Sequence, residues 1–205
     1  MAASLLIRHA LLGLLLALCA GCGHLFYFPE PGLRGTPAQA GVPYEDVHFQ
    51  SADGTRLHGW YLPARSQPRR GLIYFLHGNA ENISTHYVAM SWLNRHGWDL
   101  FLIDYRGFGL SEGTPDIHGV NQDARAGLAW AVARARQEQL PLVVYGQSLG
   151  GATAATVVAH SQPGDVQALV LDSAFSGYRL IAREKLGYVW LTSPLRYPLA
   201  WTIRD

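Results

Sequence analysis

Two kinds of hydrophobic pattern alternate along the chain. Short apolar runs without polar interruption occupy residues 72–76, 100–103, 142–145 and 168–171. Such runs are expected of strands buried on both faces. Between them lie stretches whose apolar side chains recur at helical spacing. Ile83, Tyr87, Met90 and Leu93 mark one over residues 81–95. Ile117, Val120, Ala124, Leu128 and Ala131 mark another over residues 116–137, with Thr114-Pro115 as its expected cap and first turn. A third helix is expected directly after Ser148. Residues 47–50 and 57–62 read as two strands joined by an Asp53-Gly54 turn. Strand and helix in alternation predict an α/β domain, a mainly parallel sheet with helices on both faces. Function in such sheets gathers at the carboxyl ends of the strands. His77, Asn79, Asp104, Ser148 and Asp172 all fall at such ends or just beyond them.

The first residues follow another pattern. One arginine precedes an almost pure Leu/Ala stretch over residues 10–20, and Ala20-Gly21-Cys22 follows. The stretch is shorter than the ~20 residues a membrane span needs, and matches a secretory signal. Ala20-Gly21-Cys22 also resembles a bacterial lipobox, with Cys22 acylated as the mature N-terminus. Residues 1–22 are accordingly read as a lipoprotein signal peptide and lipobox. The expected location is the bacterial cell envelope, as an outer-membrane lipoprotein facing the periplasm. Residues 23–43, rich in Pro and Gly without period, read as a linker. Residues 44–205 read as one catalytic domain.

Composition narrows the classes. The 205 residues are 49% hydrophobic with a net charge of +1, so no nucleic-acid partner is suggested. Both cysteines, Cys19 and Cys22, lie in the leader, so no disulfide staples the domain. No His/Cys set has metal-ligand spacing, and no cofactor or metal is expected.

The chemistry centres on Gly146-Gln147-Ser148-Leu149-Gly150, set between an apolar strand and a helix of small residues. Gly-x-Ser-x-Gly in that context is a nucleophile elbow: a turn so sharp that the serine backbone is strained and its hydroxyl stands clear. Gly109-Leu110-Ser111-Glu112-Gly113 matches the same formula but fails on context. Arg106, Gly107 and Phe108 separate it from a strand read to Tyr105, so Ser111 belongs to a loop. A dinucleotide fingerprint at Gly107-Phe108-Gly109 fails because Glu112 stands where the third glycine is needed.

Four motifs occur together: His77-Gly78-Asn79-Ala80, the run from Asp104 through Gly113, Gly146 through Gly151, and Leu171-Asp172-Ser173-Ala174-Phe175. In order and spacing they resemble the α/β-hydrolase superfamily over about residues 44–205. Within it they resemble a branch of membrane-associated serine hydrolases related to the serine-aminopeptidase-like group, whose relatives include esterases, lysophospholipases and protein depalmitoylases. The resemblance implies that Ser148 attacks an acyl carbonyl of a small ester or thioester. It implies an oxyanion hole from the backbone N–H groups of Leu149 and Asn79. It makes His77 a structural residue and Asp104 and Arg106 members of internal pairs.

The superfamily order is Ser, then acid, then His. After Ser148 the sequence offers only His160, about 12 residues along the helix, or ~18 Å of rise away. Asp172 is a possible acid; otherwise it caps or bonds its own loop. The expectation is therefore a hydrolase fragment lacking its last two strands, nearly inactive alone. The alternative is a catalytically silent hydrolase-like binding protein. Residues 175–205, rich in apolar side chains, read as a lid over acyl chains or as a helix packed on the domain.

Overall fold

The computed structural model describes residues 27–188. Cys22 and the leader lie outside them, as do residues 189–205. The chain divides into two compact units, and Tyr27–Phe175 is one of them. In chain order this unit holds β1 (Phe28–Pro29), β2 (Glu45–Gln50), β3 (Arg56–Leu62), β4 (Gly71–Leu76), β5 (Ala80–Glu81) and α1 (Ile83–Met90). Then follow β6 (Trp98–Asp104), α2 (Ile117–Gln137), β7 (Leu142–Gln147), α3 (Leu149–Ala159) and β8 (Ala168–Asp172). The helix α4 (Tyr178–Tyr188) belongs to the other unit.

Six strands form the main sheet in the order β2-β3-β6-β4-β7-β8. β2 and β3 form an antiparallel hairpin, and β3 runs antiparallel to β6. The remaining neighbours, β6-β4, β4-β7 and β7-β8, are parallel. The order reverses around β4: the chain crosses to β6 on one side, then returns to β7 on the other. The crevice beyond the carboxyl ends at such a reversal is where open α/β sheets bind ligands.

Side-chain alternation explains why both faces are covered. Ile73 and Phe75 of β4 join Ile83, Tyr87 and Met90 of α1 in one buried cluster with Trp60, Leu62, Leu100 and Leu102. Tyr74, between them in sequence, sends its hydroxyl to the Ala124 carbonyl of α2 at 2.9 Å. Phe101 of β6 stacks on Trp130 of α2, ring centroids 4.0 Å apart. Successive strand side chains point to opposite faces, so α1 and α2 lie on opposite sides of the sheet. Each such Leu, Ile or Phe contributes about 1.5–3 kcal/mol through burial.

Three local expectations are corrected. The 81–95 period is not one helix. Residues 80–81 pair as β5, the α-helix stops at Met90, and Ser91–His96 continues as a 3₁₀ turn closed by Gly97 at φ 86°. The cap of α2 is Asp116, whose carboxylate accepts from the Gly119 N–H, rather than Thr114. Residues 27–43 are not a linker. They include β1 and a 3₁₀ turn, Pro37–Ala40, and Val42 is buried in the core cluster. The sequence-based boundary at residue 44 therefore moves to Tyr27.

Candidate active site

β7 ends and α3 begins at Ser148, which has φ 52° and ψ −113°. A non-glycine residue held there costs about 1–3 kcal/mol and persists only where the surroundings enforce it. Two close approaches enforce it. A side chain at Gly146 would meet the Gly150 carbonyl, and one at Gly150 would meet the Leu76 carbonyl at the end of β4. The Ser148 N–H donates to the Asp172 carbonyl of β8 at 2.8 Å, which fixes the turn from the other side.

The loop after β4 runs beside this turn. A Cβ placed on Gly78 would lie 3.8 Å from the Ser148 Cβ and 3.9 Å from the His86 Cε1. Neither the Asn79 N–H nor the Leu149 N–H donates to another described residue. Leu149 opens α3, where first-turn N–H groups have no intrahelical acceptor. The loop after β4 thus reaches the elbow at Gly78, the residue before Asn79.

Asp172 lies at the end of β8. Its carboxylate accepts from the Tyr145 hydroxyl at 3.1 Å and the Ser173 hydroxyl at 2.9 Å. No histidine is among these partners, and the loop-bonding role accounts for both oxygens. His160 caps α3 at its far end, with Nδ1 at 2.7 Å from the Thr156 carbonyl. Ser111 is buried in its loop. Its hydroxyl donates to the Asp104 carbonyl at 2.7 Å and accepts from the His58 N–H at 2.9 Å. The Asn82-Ile83-Ser84 tripeptide, a formal glycosylation acceptor, has its Asn side chain fully buried.

Beneath the site lies a buried polar cluster. Asp104 Oδ1 accepts from the Ile83 N–H at 2.9 Å and faces His77 Nε2 at 3.6 Å. Its Oδ2 stands 4.0 Å from His58 Nδ1, a charge contact rather than a hydrogen bond. Burial pushes the Asp104 carboxyl up, opposed by His58 and the Ile83 N–H. Burial pushes His58 down, but Asp104 and Asp46 outweigh it and leave this imidazole raised. His77 is fully buried among His86, Tyr105 and Phe108, with Nδ1 at 2.7 Å from the Gly78 carbonyl. Burial, with His86 adding to it, lowers its pKa to about 3. His77 is thus a neutral structural imidazole. Arg106 pairs with buried Asp123 at 2.7 Å and with Asp53 at 2.8 Å, and pins the loop after β6.

Two features escaped the sequence. His86 comes beside the elbow through one turn of α1, with Nε2 at 2.9 Å from the Ala80 carbonyl. Residues 28–34 run over the same loop. Among the described residues, no group of three or more His, Cys, Asp or Glu side chains could hold a metal ion. No described helix is long and apolar enough to cross a membrane.

A strained serine between strand and helix, on a sheet of this order, defines an α/β-hydrolase-type chain. The family model described as "Serine aminopeptidase, S33" matches residues 67–199, and the chain belongs to that family of the α/β-hydrolase superfamily. It is 38% identical over 174 residues to the protein YfhR of Salmonella typhi, covering 78% of this chain and 58% of that one. It is also 38% identical over 159 residues to the α/β hydrolase domain-containing protein WAV2 of Arabidopsis thaliana, covering 74% of this chain and 51% of that one. The chain thus spans little more than half the length of these curated relatives. Among solved structures, the Pyrococcus furiosus esterase PF2001 superposes with a TM-score of 0.66 at 21% identity, over 88% of this chain and 69% of that one. At that identity the likeness shows the fold.

Proposed function

We propose that the chain carries the nucleophilic half of a serine hydrolase that cleaves a carboxylic ester or thioester. The observation that carries this reading is the strained Ser148, beside a loop at Gly78, with the N–H groups of Asn79 and Leu149 donating to no described residue. Ser148 Oγ attacks the acyl carbonyl and its proton passes to a base. The carbonyl oxygen becomes an oxyanion between the two N–H groups, each worth roughly 10²–10³ in rate where one has been removed from such a site. Collapse breaks the bond to the alkoxide or thiolate, which takes the proton. Water then hydrolyses the acyl-serine by the same steps. The reading assigns the base to the part of the relatives' length that this chain does not cover. Serine is a weak nucleophile without such a base, so slow reaction is expected from this chain.

Membership of a serine aminopeptidase family and the fold shared with an esterase support this reading. Prolonged incubation with a fluorophosphonate, followed by peptide mass spectrometry, tests it. Slow phosphonylation at Ser148, lost in Ser148→Ala, is the expected result. Modification of Ser111 instead, or no Ser148 adduct, overturns it. Addition of His86→Asn sharpens the result: an unchanged rate leaves the base elsewhere, whereas a large loss makes His86 that base.

Envelope location through Cys22 is part of the same proposal. Membrane fractionation of Cys22→Ser tests it, and unchanged processing and membrane retention would refute acylation there.

A further inference from the structure

Residues 28–34 contain little that a sequence pattern would single out, yet they bind both loops at the site. The Phe28 N–H lies 3.3 Å from the Asn79 carbonyl and 3.2 Å from the Asn79 Oδ1. β1 pairs with β5 in parallel, Phe28 against Ala80 and Pro29 against Glu81. The Glu30 N–H donates to the Glu81 carbonyl at 3.4 Å, and the Arg34 N–H to the Ser84 hydroxyl at 3.0 Å. On its other side the strap meets the loop after β6. The Gly109 N–H donates to the Glu30 carbonyl at 2.9 Å, and the Gly32 N–H to the Gly109 carbonyl at 2.8 Å.

One side chain joins these parts. Asn82 is fully buried. Its Oδ1 caps α1, accepting from the Ser84 N–H at 2.9 Å and the Ser84 hydroxyl at 2.5 Å. Its Nδ2 donates to the Glu30 carbonyl at 3.0 Å and the Gly32 carbonyl at 2.6 Å. The amide therefore satisfies the helix start with one end and clasps the strap with the other. Between Asn79 and Asn82, Glu81 holds φ 65°. That disfavoured conformation is enclosed by the strap, whose Arg34 reaches Glu81 at 3.4 Å and Glu30 at 2.6 Å.

We propose that residues 28–34, clasped by Asn82, are a positioning element that sets the Asn79 N–H for the oxyanion. The proposal rests on the reading of Ser148 as nucleophile. The strap touches no reacting atom. It acts by fixing the peptide units around Asn79, so that the donor is aimed before substrate arrives and no reorganisation is needed as charge develops.

Asn82→Asp in the full chain isolates this role. The carboxylate keeps the cap on α1 and replaces the donor facing two carbonyls with an acceptor. Two readouts are taken: amide hydrogen exchange, and the phosphonylation of Ser148 at saturating fluorophosphonate. Exchange at Gly32 and Gly109 is expected to quicken at least about tenfold by local opening, with amides of β6 unchanged. The Ser148 rate is expected to fall about tenfold, part of the loss seen when an oxyanion donor is removed outright, with labelling still stoichiometric. A fold defect would instead cut the labelled fraction. Faster exchange with an unchanged Ser148 rate makes the strap structural only and overturns the proposal. Unchanged exchange also overturns it, because Asn82 is then no clasp. If Asn82→Asp loses its cooperative melt, Arg34→Met on the exposed side decides by the same two readouts, with about threefold changes expected for an exposed ion pair. No Ser148 adduct in the unsubstituted chain removes the hydrolase reading and this proposal with it. An adduct formed equally fast in all variants removes this proposal alone.

Discussion

The two sides of Ser148 are held by different means. On the side of the loop after β4, buried Asn82 binds residues 77–84 to residues 28–34, and buried Asp104 binds them to residues 104–111. Ser111 and Arg106 in turn tie residues 104–111 to β3 and to Asp123 of α2. On the other side stands β8, at the edge of the sheet, paired with β7 alone among the described strands. Leu169, Val170 and Leu171 there are 36%, 40% and 49% exposed. The first side is rigidly tied, since buried Asn82 reaches partners some 50 residues away in sequence and Asp104 one 21 residues away. The β8 side has one ladder of backbone bonds and an apolar face with little over it. Precise placement is thus built on the side where the proposed reaction would develop charge. The edge carries the hazard of pairing with other chains.

The largest effect is expected at the rigid side. Asp123→Ala leaves the buried Arg106 guanidinium without its main partner and should cost about 3–5 kcal/mol, as for other broken buried pairs. Urea unfolding checks this; a loss below about 1 kcal/mol, the level of an exposed pair, would break the contrast between the two sides.

A smaller effect concerns acid. His77 titrates near 3 in the folded chain, against about 6.5 when unfolded. The unfolded state therefore takes up the proton first. The contribution is full above about pH 6.5 and declines towards pH 3, by up to about 1.4 kcal/mol per pH unit. Asp104 and His58, both raised, act in the opposite sense and offset part of it. His77→Gln should lower stability at pH 7 yet flatten its fall between pH 6.5 and 4. Equal slopes in the two proteins, measured by urea titration, would refute a buried neutral His77.

Ser148→Gly should relieve the strained φ and raise stability by about 1 kcal/mol, at the low end of the cost of such backbone conformations. A lower melting temperature would mean the elbow is not strained. The smallest effect on stability belongs to the edge. Val170→Lys should shift it by no more than about 0.5 kcal/mol, while slowing aggregation of the full chain. A large loss of stability would mean that β8 is covered in solution.

The sequence made the sheet legible because residues 72–76 of β4 and 100–103 of β6 are unbroken apolar runs, and the elbow legible because its motif sits between a strand and a helix. Ser111 was separable from Ser148 by the same context. The helix after β4 was overextended because the apolar period continues into the Ser91–His96 turn, where only backbone bonding changes. The strap was missed for a physical reason. Its bonds are made by backbone groups and by Asn82, and none of these leaves a periodic trace. His86 was missed because its approach to Gly78 and His77 arises from the path of the loop, not from spacing along the chain. Of residues 175–205, where a lid was a candidate, residues 175–188 are described and include α4, and residues 189–205 lie outside the described residues.

The central claim is that Ser148 acts between two backbone donors. A crystal structure of the Ser148 phosphonate adduct tests it most directly. The account predicts one phosphonyl oxygen about 2.7–3.1 Å from both the Asn79 and the Leu149 nitrogen, the distance at which such donors act. An adduct whose oxygens point to solvent, with both N–H groups unoccupied, would contradict it.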